Sequence, residues 1–358
     1  MQLTFEPLGK YIRQIDERNT GLITETVLGV NIDKYFMPSV ANVIGTDLNN
    51  YKLLRNGRFA CNPMHVGRDG RLPVALYSDD IPAIVSPAYF VFEIIDKSVI
   101  EPAYLMLCFK RPDFDRMCWF RTDASVRGGI TWNDICALTI PVPSIEEQHK
   151  IVHDYQVITD RIALLRKMNE NLEAICNTLF DELSERAAQR GQLHLENFIT
   201  FGNGKSRPTT TGSIPVYGGN GVLSYTDKSN AKNIVIIGRV GAYCGSVFIE
   251  QSSCWVSDNA IVAKSAVCED EFFDYCLLKK LNLYTHHVGT GQQLLTQGIL
   301  KAIPCPAYSK EEICRFNQNI KALFKSMNLY SNEISSLKNT LALLLSNLAL
   351  MEVKNVYF

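Results

Sequence analysis

Ile140-Pro141-Val142-Pro143-Ser144-Ile145-Glu146-Glu147 and Ile303-Pro304-Cys305-Pro306-Ala307-Tyr308-Ser309-Lys310-Glu311-Glu312 are one phrase written twice. Each reads apolar-Pro-x-Pro followed by Ser-x-x-Glu. Ser144 with Glu147, and Ser309 with Glu312, have the spacing of a capping box, in which the hydroxyl accepts from the third helical N–H and the glutamate reaches back. The prolines hold the chain extended until the cap. After each cap an apolar repeat begins. The first runs Ile151, Tyr155, Ile158, Ile162, Leu165, Asn169, Leu172, Cys176, Leu179, Leu183, in steps that alternate four and three. Adding 165 to every position gives Phe316, Ile320, Leu323, Met327, Tyr330, Ile334, Leu337, Leu341, Leu344 and Leu348, all apolar or aromatic. The pattern predicts two long helices with coiled-coil seams in one register relative to their caps. Each spans about 40 residues, roughly 60 Å at the helical rise.

A lone stripe of this kind reads as a core helix of a bundle; two of matched length, each closing its own globular half, read as a coiled-coil pair. A pseudo-twofold relation between the halves requires the helices to run antiparallel. Facing residues then have numbers summing to 499, so Ile151 meets Leu348, Ile162 meets Leu337, and Asn169, the one strongly polar seam residue, meets Tyr330. A buried Asn lowers stability and fixes register.

The predicted organisation is an α/β (α+β) tandem repeat: a first domain over residues 1–143, a first helix over 144–189, a second domain over 190–308 and a second helix over 309–352. In the first domain Ala83–Ile94 reads as strand, and Cys254–Ala263 takes its place in the second. Short helices follow around Pro102–Phe109 and Glu271–Lys280, then Gly-containing loops at Ser125–Gly129 and Gly289–Gln293. Strand order is not legible.

Hydrophobic residues make up 46% and charged residues 20% of the 358, the balance of a globular protein with room for two cores. The N-terminus lacks the form of a signal peptide, and the most apolar stretch, Leu341–Met351, is interrupted by Ser346 and Asn347. Eleven cysteines, an odd number, occur without a C-x-x-C pair, which argues against a zinc ribbon or disulfide framework and for a reduced, cytoplasmic chain. Net charge is −1, whereas a strongly basic chain would mark a nucleic-acid binder outright. A DNA-binding reading therefore needs positive charge clustered on one face or supplied by a partner.

Tyr51-Lys52-Leu53-Leu54-Arg55-Asn56-Gly57-Arg58-Phe59-Ala60-Cys61-Asn62-Pro63 with Val85-Ser86-Pro87-Ala88-Tyr89 resembles one variant of the recognition domain in the specificity subunits of type I restriction–modification systems. Pro215-Val216-Tyr217-Gly218-Gly219-Asn220-Gly221, Ile236–Gly241 and Trp255–Ala260 resemble another, and Pro141–Gln148 resembles the junction into that family's first spacer helix. The second junction departs from the family, with Ile313 where Gln is usual. The resemblance spans almost the whole chain. It implies that each domain reads half of a bipartite double-stranded DNA target, that the helices set the spacer and dock two methyltransferase subunits, with restriction subunits joining, and that the chain has no catalytic site, metal or cofactor of its own. The alternative, from a different class, is a non-enzymatic scaffold whose repeated domains bind proteins.

Motifs that invite an enzymatic reading are incomplete. Gly204-Lys205-Ser206 resembles the end of a phosphate-binding loop, but the required earlier glycine would fall at Ile199. Pro112-Asp113 has no downstream acid-x-Lys, Asn62-Pro63 continues as Met64 rather than a second proline, and His286-His287 has no companion ligands. For DNA, Arg and Gln suit guanine and adenine edges, while Lys suits phosphate. Candidate contacts beside turn-rich loops are Lys52, Arg55, Arg58, Arg68, Arg71 and Arg127 in the first domain, and Lys205, Arg207, Tyr217, Asn220, Arg239, Gln292 and Gln293 in the second. Near-neutral charge predicts weak DNA binding by the isolated chain.

Overall fold

The computed structural model describes residues 4–40, 45–64, 66–122, 128–289 and 291–350. The chain divides into two compact units: one joins residues up to Ala163 with those from Ser335 onward, and the other runs from Leu164 to Ile334. Both long helices are present, Ile145–Ala188 and Lys310–Leu350, each contributing to both units. The cap before the second is a closed box: the Glu312 amide donates to Ser309 Oγ at 3.3 Å and the Ser309 amide donates to Glu312 Oε2 at 3.1 Å. At the first, the Glu147 amide donates to Ser144 Oγ at 3.4 Å.

Within each unit the helices run antiparallel. In the first, Ile151, Val152 and Tyr155 share a core with Leu345 and Leu348. In the second, Phe180 stacks edge-on against Phe316 with centroids 5.7 Å apart, and Arg190 pairs with Glu312. Every seam position read from the repeat is buried or half-buried. Asn169, expected beside Tyr330, donates its Nδ2 hydrogen to Ser331 Oγ at 3.3 Å, the residue next to Tyr330 in sequence.

The duplication extends beyond the helices. In each unit the first strand pairs antiparallel with that unit's own Pro-x-Pro strand: Thr4–Pro7 with Thr139–Val142, and Gln192–His194 with Pro304–Pro306. A 3₁₀ turn follows (Leu8–Lys10; Leu195–Asn197), then a strand paired with the last strand before the domain helix. Those pairs are Ile12–Ile15 with Phe90–Ile94 and Ile199–Asn203 with Ala260–Ser265. The helices Pro102–Phe109 and Phe272–Lys280 come next. Short helices capped by Thr131 and Thr296 then lead to the Pro-x-Pro strands, and these caps are again 165 residues apart (296 − 131).

Between these shared parts the sheets differ. Unit one carries a four-stranded antiparallel sheet in the order Ile12–Ile15, Phe90–Ile94, Phe59–Cys61, Val74–Leu76, with two-stranded ribbons beside it. Unit two carries six strands in the order Ile199–Asn203, Ala260–Ser265, Ala231–Gly238, Val247–Val256, Ile214–Gly218, Gly221–Thr226, with one parallel contact, Val216–Tyr217 beside Trp255–Val256. The stretch read as one strand over Ala83–Ile94 is two, Ala83–Val85 and Phe90–Ile94, separated by a turn in which the Tyr89 amide donates to Ser86 O at 3.0 Å. Pro87, with no N–H, ends the ladder. Cys254–Ala263 breaks in the same way, with the Ala260 amide donating to Ser257 O at 3.1 Å.

The departure at Ile313 has a structural answer. In unit one the fully buried Gln148 clamps the start of the domain helix: its Nε2 donates to Val99 O at 2.9 Å and its Oε1 accepts from the Glu101 amide at 2.9 Å. In unit two Ile313 lies in the apolar core and Asn317, one turn later, takes over. Asn317 Nδ2 donates to Asp270 O at 2.7 Å and its Oδ1 accepts from the Phe273 amide at 2.8 Å. The position of unit one matching Asn317 is Val152 (317 − 165), which packs on the core. Polar and apolar residues have exchanged places across one helical turn, and the clamp survives.

Cys268 and Cys314 are disulfide-bonded, with Cα atoms 6.0 Å apart, which corrects the expectation that all the cysteines are free. Forty-six residues separate them in sequence, and the fold sets the loop before Phe272 against the first turn of the second long helix. The other cysteines are free, mostly buried thiols. Among the described residues, no helix is long and apolar enough to cross a membrane.

Candidate nucleic-acid interface

The second unit gathers four loops at one place. The Arg239 amide donates to Asn259 O at 3.0 Å, and Arg239 O accepts from the Leu295 amide at 2.9 Å. The Gly241 amide donates to Gln293 O at 3.0 Å, and Ser246 Oγ donates to Gly219 O. Close approach explains the glycines. A Cβ on Gly238 would stand 2.3 Å from Tyr243 O, and one on Gly204 would stand 1.9 Å from Ser257 O. Gly204 in the phosphate-loop look-alike therefore serves backbone packing, and the Lys205 amide is tied to Val256 O at 3.0 Å.

This cluster unites Lys205, Asn220, Arg239, Gln292 and Gln293, distant in sequence. Lys205, Arg207, Asn220 and Gln292 are exposed, while Arg239 and Gln293 are half-buried. Arg239 Nε is buried without a hydrogen-bond acceptor in the protein. Tyr217 stands apart: it is buried, its hydroxyl donates to Glu250 Oε2 at 2.9 Å, and burial pushes its pKa up. It holds the sheet and is not presented to a ligand.

The first unit distributes its candidates differently. Lys52 is buried, donates to Tyr89 O at 2.7 Å, and has its pKa lowered by that burial. Arg58 bonds Glu17 at 2.6 Å and donates to Leu53 O at 3.1 Å, with a side chain only 13% exposed. Both are structural ties inside the domain. Arg55 pairs with Glu17 at 2.8 Å, Arg68 with Asp69 at 2.7 Å and Arg71 with Asp33 at 3.1 Å, all as exposed pairs. Such pairs contribute little to stability, so a phosphate can displace the carboxylate at small cost. Arg127 lies outside the described residues. Among the described residues no group of His, Cys, Asp or Glu is placed to hold a metal ion.

The first turn of the second unit's domain helix carries a feature the sequence reading passed over. Glu271 and Asp274 are both buried, and neither Asp274 oxygen has a hydrogen-bond partner. Burial holds both carboxyls up in pKa, Glu271 to about 7 and Asp274 well above its ordinary value, with the Glu271 charge raising Asp274 further.

The chain is a duplicated α/β protein in which two long helices run antiparallel within each unit. Residues 199–339 match the sequence model of the type I restriction modification DNA specificity domain. The S subunit of a type I restriction–modification system from M. genitalium overlays this chain with a TM-score of 0.65 at 16% identity, covering 97% of this chain and 96% of that one. The HsdS subunit from Thermoanaerobacter tengcongensis aligns over 97% of this chain and 96% of its own, at 16% identity and a TM-score of 0.40. No curated protein sequence matches the chain. Residues 199–339 thus match the type I restriction modification DNA specificity domain, and almost the whole chain shares the fold of a type I S subunit.

Proposed function

We propose that each domain reads one half of a bipartite double-stranded DNA target, and that the paired helices fix the spacer and dock two methyltransferase subunits, with restriction subunits joining the assembly. The observation that carries this reading is the repeated skeleton, from the opening strand through the Thr-capped helix to the long helix. In unit two, Lys205, Asn220, Arg239, Gln292 and Gln293 on the converging loops meet base edges and phosphates. In unit one the exposed Arg55, Arg68 and Arg71 make the backbone contacts. The chain supplies recognition, and methyl transfer belongs to its partners.

Exchanging residues 190–308 for the second domain of another specificity subunit tests this. Modified-base sequencing of the host should show one half of the methylated motif changed and the other kept. A motif altered in both halves, or in neither, contradicts the assignment. Inserting one helical turn after Leu172 should lengthen the spacer and leave both half-sites alone.

A further inference from the structure

In each half, the segment between the domain helix and the Thr cap presents aromatic rings to solvent. In unit one the helix Pro112–Phe120 ends on Trp119 and Phe120, which are 49% and 83% exposed, with ring centroids 5.7 Å apart and edge-on. Trp119 Nε1 donates to Gly67 O at 3.0 Å, which satisfies the indole's one polar group and fixes the ring, leaving Phe120 at the tip. Arg116 lies one turn earlier on the face of Phe120, Arg121 follows it, and Arg68 adjoins Gly67; all are exposed. In unit two Tyr284 stands at the position matching Trp119 (284 − 165), Thr285 stands at that of Phe120, and the Tyr284 ring, 45% exposed, packs on His287 with centroids 4.8 Å apart. A Cβ on Gly245 would stand 2.5 Å from the Tyr284 amide, so this pair borders the loop cluster that holds Arg239 and Gln293.

We propose that Trp119–Phe120, and Tyr284–His287 in the other half, are the stacking elements of the two readers: each presses on the bases of duplex DNA and enters a deformed base step in its own half-site. The inference rests on the DNA-reading assignment made above. An exposed aromatic pair fits such a step because base faces accept any aromatic ring, while arginines around the rings of unit one meet the flanking phosphates. The recurrence of an exposed aromatic at Trp119 and Tyr284, each packed on a neighbouring ring, favours one ligand common to the halves. Stacking releases no counterions, so it adds affinity that salt does not remove.

The test uses the full chain assembled with its methyltransferase subunits and a duplex carrying the host's methylated bipartite motif, with 2-aminopurine placed through the first half-site. Phe120→Ala should weaken binding about tenfold and leave the salt slope unchanged. It should also quench the 2-aminopurine signal that reports unstacking. Phe120→Trp should keep both affinity and signal. Arg116→Ala with Arg121→Ala should instead flatten the salt slope. Phe120 is mostly solvent-exposed, and a thermal melt checks that Phe120→Ala leaves the fold intact. Unchanged affinity in Phe120→Ala overturns the proposal. So does loss of methyltransferase subunits from the variant with DNA affinity of the assembled fraction intact, which would make the ring pair a protein contact. If the wild-type complex fails to prefer its motif over a scrambled duplex, the half-site reading itself falls, a separate outcome that removes the proposal's basis.

Discussion

Glu271 and Asp274 show what one buried pair of carboxyls does to a domain. Folding raises their pKa values, so they favour the folded state fully while both folded and unfolded chains hold the protons. That contribution is lost as pH rises from 4.5, the ordinary value for Glu271, through about 7. The thermal midpoint of unit two is expected to fall across that window, and Asp274→Asn to flatten the decline; equal pH dependence in the two proteins would count against the shared burial. Asn317 makes a second residue-scale case. Asn317→Val leaves the Phe273 amide and the Asp270 carbonyl without partners and should destabilise unit two by about 2 kcal/mol or more in denaturant titration. Adding Ile313→Gln to that variant restores the arrangement of unit one, Gln148 with Val152, and should recover part of the loss. Neither residue was legible in the sequence. Glu271 and Asp274 read as an ordinary charged helix start, and the amide clamp becomes visible only when the two junctions are overlaid and Ile313 is seen to have exchanged roles with Asn317.

At the scale of elements, what could be read followed from periodicity and capping. Two helices, their starts at Ser144 and Ser309, and their antiparallel sense came from a repeat of seven and an offset of 165. The strands were less legible because their signals are short. Pro87 and Ser257 break runs that look continuous in hydrophobicity, and sheet order depends on pairings such as Ile12 with Ile94 that no local pattern encodes. The loop candidates were legible as residue types and not as positions: Arg55 and Arg58 are three apart, yet one is exposed and the other is bound to a backbone carbonyl inside the domain. Asn169 supports an element-scale prediction. Its Oδ1 is buried without a partner while Nδ2 bonds Ser331. Asn169→Leu should therefore raise the thermal midpoint, and spin-label distances between the helices should broaden as register loosens. A sharper distribution would show that the amide does not set register.

For the whole molecule, a formal charge of −1 and the ion-paired arginines of unit one point the same way. The subunit alone should bind DNA weakly, with a shallow salt slope, and the methyltransferase-bound complex tightly; filter binding with and without partner subunits separates the two. The make-up of the units has one more consequence. Unit two is a single run of chain, whereas unit one needs residues from Ser335 onward, and Leu345 and Leu348 complete the core that Ile151, Val152 and Tyr155 begin. On a ribosome, then, the first domain to be synthesised is the last to be finished. Until the final turns of the second helix emerge, its unfilled apolar seam is open to chaperones, and a chain halted near Ile334 would carry a completed unit two and an unfinished unit one.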